Sequence, residues 1–347
     1  MKTSFSSTHS IQTTLLQTMA RAQNDLAKAN EEVTTGVYAD LGVELGAQTS
    51  RSLDLSRDML RLESQMTTNS IATQRLTSSE EALSQLADIS QGVMDSLVGL
   101  SSSSSTLDVA RSTITSALNS FTDVANTSVS GEYLFSGTNS DVKPMLSYTE
   151  EGSPMAAAVD AELDTYLLSQ GLTSASQMSA GQMSDFLTGL EATFNDDVFW
   201  STYASQSSDT NITTRISATE VVDTSTNANS QGFRSFVFAS VVSSKFLTNE
   251  IPEATRVSVT ESATAAIGKA ISGLNDQRST IGLSTERVSK ATGSLADQKS
   301  IIETHINELQ GVDVYEASTR VSALQSLLEA SYTLTSRIQQ LSLVNYL

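Results

Sequence analysis

The chain has 347 residues, two histidines, no cysteine and a formal charge of −19. Thiol chemistry, disulfides and cysteine-based metal sites are excluded, and so much negative charge disfavours a nucleic-acid backbone or an anionic membrane face as partner. Only three prolines occur, Pro144, Pro154 and Pro252, which leaves long stretches free to be helix.

The opening MKTSFSSTHSIQTTLLQTMA has one lysine and no continuous apolar core. It does not read as a cleavable signal peptide, and no window of the chain resembles a membrane span. Apolar residues then fall at Ile11, Leu15, Met19, Ala22, Leu26, Ala29 and Val33. That spacing predicts one helical face over residues 11–35, with Ser10 as cap and Gly36 as stop. Such a helix is about 37 Å long, and its stripe is narrow, as in a helix that pairs along a seam. The stretch GVYADLGVELGAQTS breaks the pattern at Gly36, Gly42 and Gly46. It lacks the GKS or GKT of a phosphate-binding loop and reads as turns between helices.

A second helix is predicted over 48–100, with Leu55, Met59, Leu62, Met66, Leu76, Leu83, Leu86, Ile89, Val93 and Leu97 inward. Asn69 and Thr73 interrupt this seam with polar groups, a way of fixing register at some cost in stability. SSSSST at 101–106 reads as a polar joint. A third helix follows, with Val109, Ile114, Leu118, Phe121 and Val124 inward, ending near Ser130 and Gly131. Composition shifts at Pro144: between Asp141 and Glu250 there are 14 acidic and 4 basic residues. NITTRISATEVV reads as strands with a turn. GFRSFVFASVV, residues 232–242, fits either period and is taken as helix. Helix returns from Glu253 to Leu309, with Ile267, Ile271, Leu274, Ile281, Val288, Leu295, Ile302, Ile306 and Leu309 inward. Gly268, Gly273, Gly282 and Gly293 lie within it at about 1 kcal/mol each relative to alanine. After a break at QGVDVYE, the last helix has its stripe at Ala317, Val321, Leu324, Leu328, Leu334, Ile338 and Leu341, with Ser331 as the polar step. The pattern goes out and comes back, which places the two termini side by side.

Candidates for chemistry are few. Asp40 with Glu44, Glu80 with Glu81, Glu150 with Glu151 and Asp196 with Asp197 are carboxylate pairs in polar stretches, read as solvated surface rather than an acid/base pair. No aspartates have calcium-loop spacing and no G-x-S-x-G occurs. His9 and His305 form no metal pattern, and His305 reads as a helix flank. Tyr133, Leu134 and Phe135 read as packing at a junction. The expectation is a protein that is not an enzyme, with no metal and no cofactor. A fully enclosed leucine contributes about 1.5–3 kcal/mol, and two narrow seams paired alone enclose few of them. The terminal helices therefore read as an assembly element, stable when neighbouring copies cover it.

Four stretches, TQRLTSSEEALSQLADI at 73–89, ANTSVSGEYLFSGTNSDVKP at 125–144, TSTNANSQG at 224–232 and LSLVNYL at 341–347, carry a family resemblance. The chain resembles the flagellar hook-associated protein 3 family, the FlgL-type hook–filament junction proteins of the flagellin superfamily, in the form seen in rhizobia and their relatives. The likeness is strong at both ends and weaker across 145–220. Where many members have an Asp-Asp-Pro turn after EEVTTG, this chain has VYADLGVELG with Asp40, and Val344 stands where an aromatic is usual. Filament flagellins share the helical ends, so a flagellin-type filament subunit is the alternative.

The resemblance implies a mainly α, flagellin-like fold: long antiparallel helices forming a terminal coiled coil and a helical bundle, with a mixed α/β central insertion. It divides the chain into a coiled-coil domain (1–46 with 310–347), a bundle (47–144 with 251–309) and an outward-facing insertion (145–250). It also implies a structural subunit of the extracellular bacterial flagellum, exported by the type III route without signal cleavage and used in motility. The implied partners are further copies in a ring, the first hook-associated protein on the hook side, flagellin on the filament side and an export chaperone. Its implied assembly contacts include Leu15, Met19, Leu26, Leu324, Leu328 and Leu341.

Overall fold

The computed structural model describes the backbone of residues 8–100 and 107–344, with side-chain surroundings at all of these except residues 8, 9, 12 and 338–344. The polar joint at 101–106 and the last three residues of LSLVNYL lie outside the described residues. Ten α-helices and four short strands are described: α1 (Thr8–Thr35), α2 (Leu41–Leu45), α3 (Thr49–Leu100), α4 (Leu107–Ala125), β1 (Ser128–Val129), β2 (Glu132–Tyr133), α5 (Pro154–Ser169), α6 (Ala180–Asn195), α7 (Asp197–Tyr203), β3 (Thr213–Arg215), β4 (Val221–Asp223), α8 (Gln231–Phe246), α9 (Glu253–Gln310) and α10 (Val314–Val344). The chain is mainly α with a small sheet component, the flagellin-like class that the resemblance implied. It divides into two compact units, one made of the chain ends up to Ser64 and from Leu295, the other of Gln65–Ser294.

The larger unit is closed by aromatic packing. α8 is buried on nearly every side, from Gly232 and Phe233 through Val241, Val242 and Phe246, which is why its apolar run fits more than one period. Phe236 stacks on Phe121 of α4 with ring centroids 3.8 Å apart, and Phe233 meets both Phe121 and Phe135 at 5.4 and 5.5 Å. Leu134 and Phe135 of the apolar knot are buried in this core. Val109 is 68% exposed, against the inward reading: the buried register of α4 runs Leu107, Ala110, Ile114, Leu118 and Phe121. Helix α4 ends at Ala125, and Ser130 and Gly131 instead form the tight turn of the β1–β2 hairpin, at φ 55° and 87°.

Local signals start the shorter helices. Ser153 caps α5 ahead of Pro154 at its first position, a Ser179–Gln182 capping box opens α6, and Asp196 caps α7 through the Phe199 N–H. NITTRISATEVV forms the antiparallel β3–β4 hairpin, Thr213 facing Asp223 and Arg215 facing Val221. Gly273 of α9 lies against Gly232 of α8: a Cβ on Gly273 would sit 2.8 Å from the Gly232 nitrogen. The glycine that weakens α9 is what lets the two backbones meet.

In the smaller unit α1 runs antiparallel to α10. Helix α1 begins at Thr8, so Ser10 lies inside it rather than capping it. It stops at Gly36, whose φ of 75° ends the helix. The two connecting segments then pair, through an antiparallel bridge between Val37 and Gly311, Tyr38 N–H to the Gln310 carbonyl at 3.0 Å and Val312 N–H to the Gly36 carbonyl at 3.0 Å.

Candidate functional site: the terminal helix pair

The seam of α1 follows the predicted spacing from Leu15 to Val33, but not at Ile11. Met19, Ala22 and Ala29 are buried, Leu15, Leu26 and Val33 are half-buried, and Ile11 is exposed. On α10 Ala317 and Leu328 are buried and Val321 and Leu324 half-buried. Leu334 leaves the predicted stripe, because the buried register steps from Leu328 to Ser331 and then to the half-buried Thr335. Thr335 Oγ1 lies 3.8 Å from the Met19 sulfur. Polar groups fix the pairing. Gln23 Nε2 donates to the Tyr332 hydroxyl at 2.9 Å, and Arg320 Nη1 meets the Glu32 carboxylate at 3.0 Å. Glu32 is a buried carboxylate whose other oxygen accepts from the Ala39 N–H. Lys299 binds Glu63 at 2.9 Å, and that hydrogen bond raises the lysine pKa.

Of the residues singled out for assembly, Met19 and Leu328 are thus enclosed within one chain, and Leu15, Leu26 and Leu324 lie half-covered at the seam edge. Leu341 is in α10, but its side chain lies outside the described residues. The sequence reading passed over a second row on α10: Leu327 and Leu334 are each nearly half exposed, with exposed Ala323 and Ala330 between and beside them. Leu16 of α1 is 61% exposed and Tyr332 52%. The signal was available, since 323, 327, 330 and 334 advance by fours and threes. It was hidden because that row adjoins the stronger one. A two-helix pair has only one shared face, so apolar residues a third of a turn away are left to solvent.

Three of the four carboxylate pairs have a member with a structural partner. Asp40 caps α2 and pairs with Lys28 at 3.5 Å, and Glu80 pairs with Arg278 at 2.8 Å. Asp197 meets Arg234 at 2.7 Å, while that guanidinium also donates to the carbonyls of Asn195 and Asn229 and lies over Trp200. His305 is exposed beside Glu308, and the side chain of His9 lies outside the described residues. No group of three or more potential metal ligands occurs among the described residues, and no described helix is long and apolar enough to cross a membrane.

Two family models match. The bacterial flagellin N-terminal helical region covers residues 7–140 and the bacterial flagellin C-terminal helical region covers 264–347. No curated protein sequence matches the chain. A solved structure from Vibrio parahaemolyticus, provisionally described as a flagellar hook-associated protein, is similar in fold, with a TM-score of 0.53 and 11% identity over 76% of this chain and 97% of that one. The match of its two ends to the paired helical regions, joined by a fold of the same kind, places the chain in the flagellin superfamily of structural proteins.

Proposed function

We propose that this protein is a structural subunit of the bacterial flagellum that joins the hook, through the first hook-associated protein, to the flagellin filament. The observation that carries a self-assembling role is the terminal helix pair, whose α10 leaves Leu327 and Leu334 uncovered beside a seam that already encloses Leu328. Burying an apolar side chain of that size contributes about 1.5–3 kcal/mol, which favours neighbouring copies that cover the row. The junction role rests on the resemblance of LSLVNYL at 341–347 and of the stretches at 73–89, 125–144 and 224–232 to junction proteins. The hook-associated description of the Vibrio structure is consistent with it at the level of fold.

On this reading the half-covered Leu15, Leu26 and Leu324 and the outer row of α10 meet adjacent copies in a ring, as a coiled coil with its neighbours. The acidic segment 145–250 is the outward-facing domain, 47–144 with 251–309 the bundle and the chain ends the coiled-coil domain. The subunit works outside the cell, reaches it unfolded through the flagellar type III route with a chaperone, and transmits load without turning over a substrate.

The second reading, a filament subunit, is favoured by the matched flagellin regions, which filament and junction proteins share. Electron microscopy of flagella from a deletion strain separates the two. Bare hooks that regain filaments on complementation support the junction. Filaments that persist in the deletion, or purified protein that extends long filaments alone, support the filament subunit.

A further inference from the structure

We infer that the β3–β4 hairpin is a clasp that fixes the axial register of α3 against α9 at the boundary residues of the larger unit. The loop between its strands, residues 216–220, carries Ile216, which is fully buried although it sits at a hairpin tip, where exposed polar residues are the rule. Two successive turns of α3 hold the main chain there. Gln65 Nε2 donates to the Arg215 carbonyl at 2.6 Å, and Asn69 Nδ2 donates to the Ile216 carbonyl at 3.0 Å. The same Asn69 amide reaches across to Thr292 Oγ1 of α9 at 3.1 Å, and its own carbonyl oxygen accepts from Gln65. From the other side, Arg287 of α9 pairs with Glu220 of the loop at 3.5 Å. The loop is shaped for this: Ile216 and Ser217 N–H both point to the Glu220 carbonyl, and Arg215 closes onto the Ala218 carbonyl.

Asn69 is therefore the polar break in the α3 stripe with a definite use. Its side chain is wholly buried, and it is satisfied only when α3, α9 and the hairpin tip stand in one register. Sliding either helix by a turn leaves a buried amide and the Ile216 carbonyl without their bonds, a steep penalty in a low-dielectric interior. Apolar contacts along a helix pair vary smoothly with sliding; this arrangement does not. The clasp makes the pairing of α3 with α9 a single state.

Amide hydrogen exchange of the full chain tests this, comparing the native protein with Asn69→Leu and Gln65→Ala. The clasp requires exchange to rise about tenfold or more in α3 around residues 62–72 and in α9 around 285–294, with α4 and α8 unchanged. Arg287→Gln, which removes only the exposed ion pair, gives a smaller rise in the same segments. Should Asn69→Leu fail to fold, the two milder variants carry the same test. A rise confined to the hairpin, a uniform rise throughout Gln65–Ser294, or no change overturns the inference.

Discussion

In the larger unit the fully buried aromatic side chains among the described residues are Trp200, Phe121, Phe135, Phe194, Phe233, Phe236, Phe238 and Phe246, joined by Leu76, Leu83, Leu86 and Leu97. In the terminal pair the buried apolar residues among those described are Met19, Ala22, Ala29, Ala317 and Leu328. Both regions are built from long apolar-periodic helices, yet one wraps them around an aromatic helix and the other presses two of them together. Helix α8 supplies a third body for α4 and α6 to cover, so the apolar faces of α8 itself find neighbours in every direction. A pair of helices has one common face, and what lies outside it stays wet. The larger unit therefore encloses an aromatic core, although Val109, Leu168 and Val198 stay exposed on it, whereas the terminal pair encloses few large side chains. On the proposed assembly role, that difference is what the terminal pair offers to neighbouring copies.

Mutations sharpen the contrast. Phe121→Ala removes a ring that stacks on Phe236 and edges onto Phe233, and should cost the larger unit about 3–5 kcal/mol in denaturant unfolding. Leu328→Asp places a carboxylate where the pair encloses a leucine and should weaken the α1–α10 pairing by about 3 kcal/mol or more. Proteolysis near the chain ends should accelerate while the unfolding midpoint of the larger unit holds, and flagella assembled from this variant should be absent. If the whole protein unfolded together, the two regions would not be independent in the sense argued. Gly273→Ala should destabilise by about 1–3 kcal/mol, because its Cβ would meet the Gly232 backbone at 2.8 Å. Gly293→Ala in the same helix has open space and should stabilise by about 0.5–1 kcal/mol. Thermal melts of the two variants should move in opposite directions.

The smallest effect concerns pH. Tyr148 is pushed up to about 12, first by burial and then by the charge of Asp160, whereas an unfolded tyrosine ionises near 10. Below pH 10 both states hold the proton and the stabilisation is complete. Above it the unfolded chain releases the proton first, so stability falls as pH rises towards 12. Phenolate absorbance should show a late titration step that Tyr148→Phe removes, and that variant should lose less stability across the same window.

The long helices were legible because a solvated helix with one buried face writes its period into the sequence. The limits of α9 and the seam of α1 follow from spacing alone, and LSLVNYL and the other quoted stretches carried the superfamily. Legibility failed where burial was either complete or shared. α8 is enclosed on nearly all sides and its apolar run fits two periods, so its type rested on a choice between them. Val109 looked inward because Leu107 and Ala110, which take that face, flank it on either side. Leu334 looked like part of the seam because the true step, Ser331 to Thr335, is polar. The helices α5, α6 and α7 are announced mainly by caps at Ser153, Ser179 and Asp196, signals that a search for apolar stripes does not weigh. The outer row of α10 was passed over for a related reason: a second stripe beside a stronger one reads as its edge.

The hydrogen bond between Gln23 and Tyr332 joins residues 309 apart in the chain. Closing a flexible loop of that length costs about 5 kcal/mol of entropy, and the contacts that reward it are the sparse ones of the terminal pair. The hairpins β1–β2 and β3–β4 need only short closures, and the stack of Phe121 on Phe236 and the contact of Asn69 with Thr292 close successively longer loops, each still shorter than that of the termini. Folding should accordingly run from the middle of the chain outwards, with the two ends meeting last. In refolding experiments their pairing should be the slow phase, and in unfolding the first to disappear.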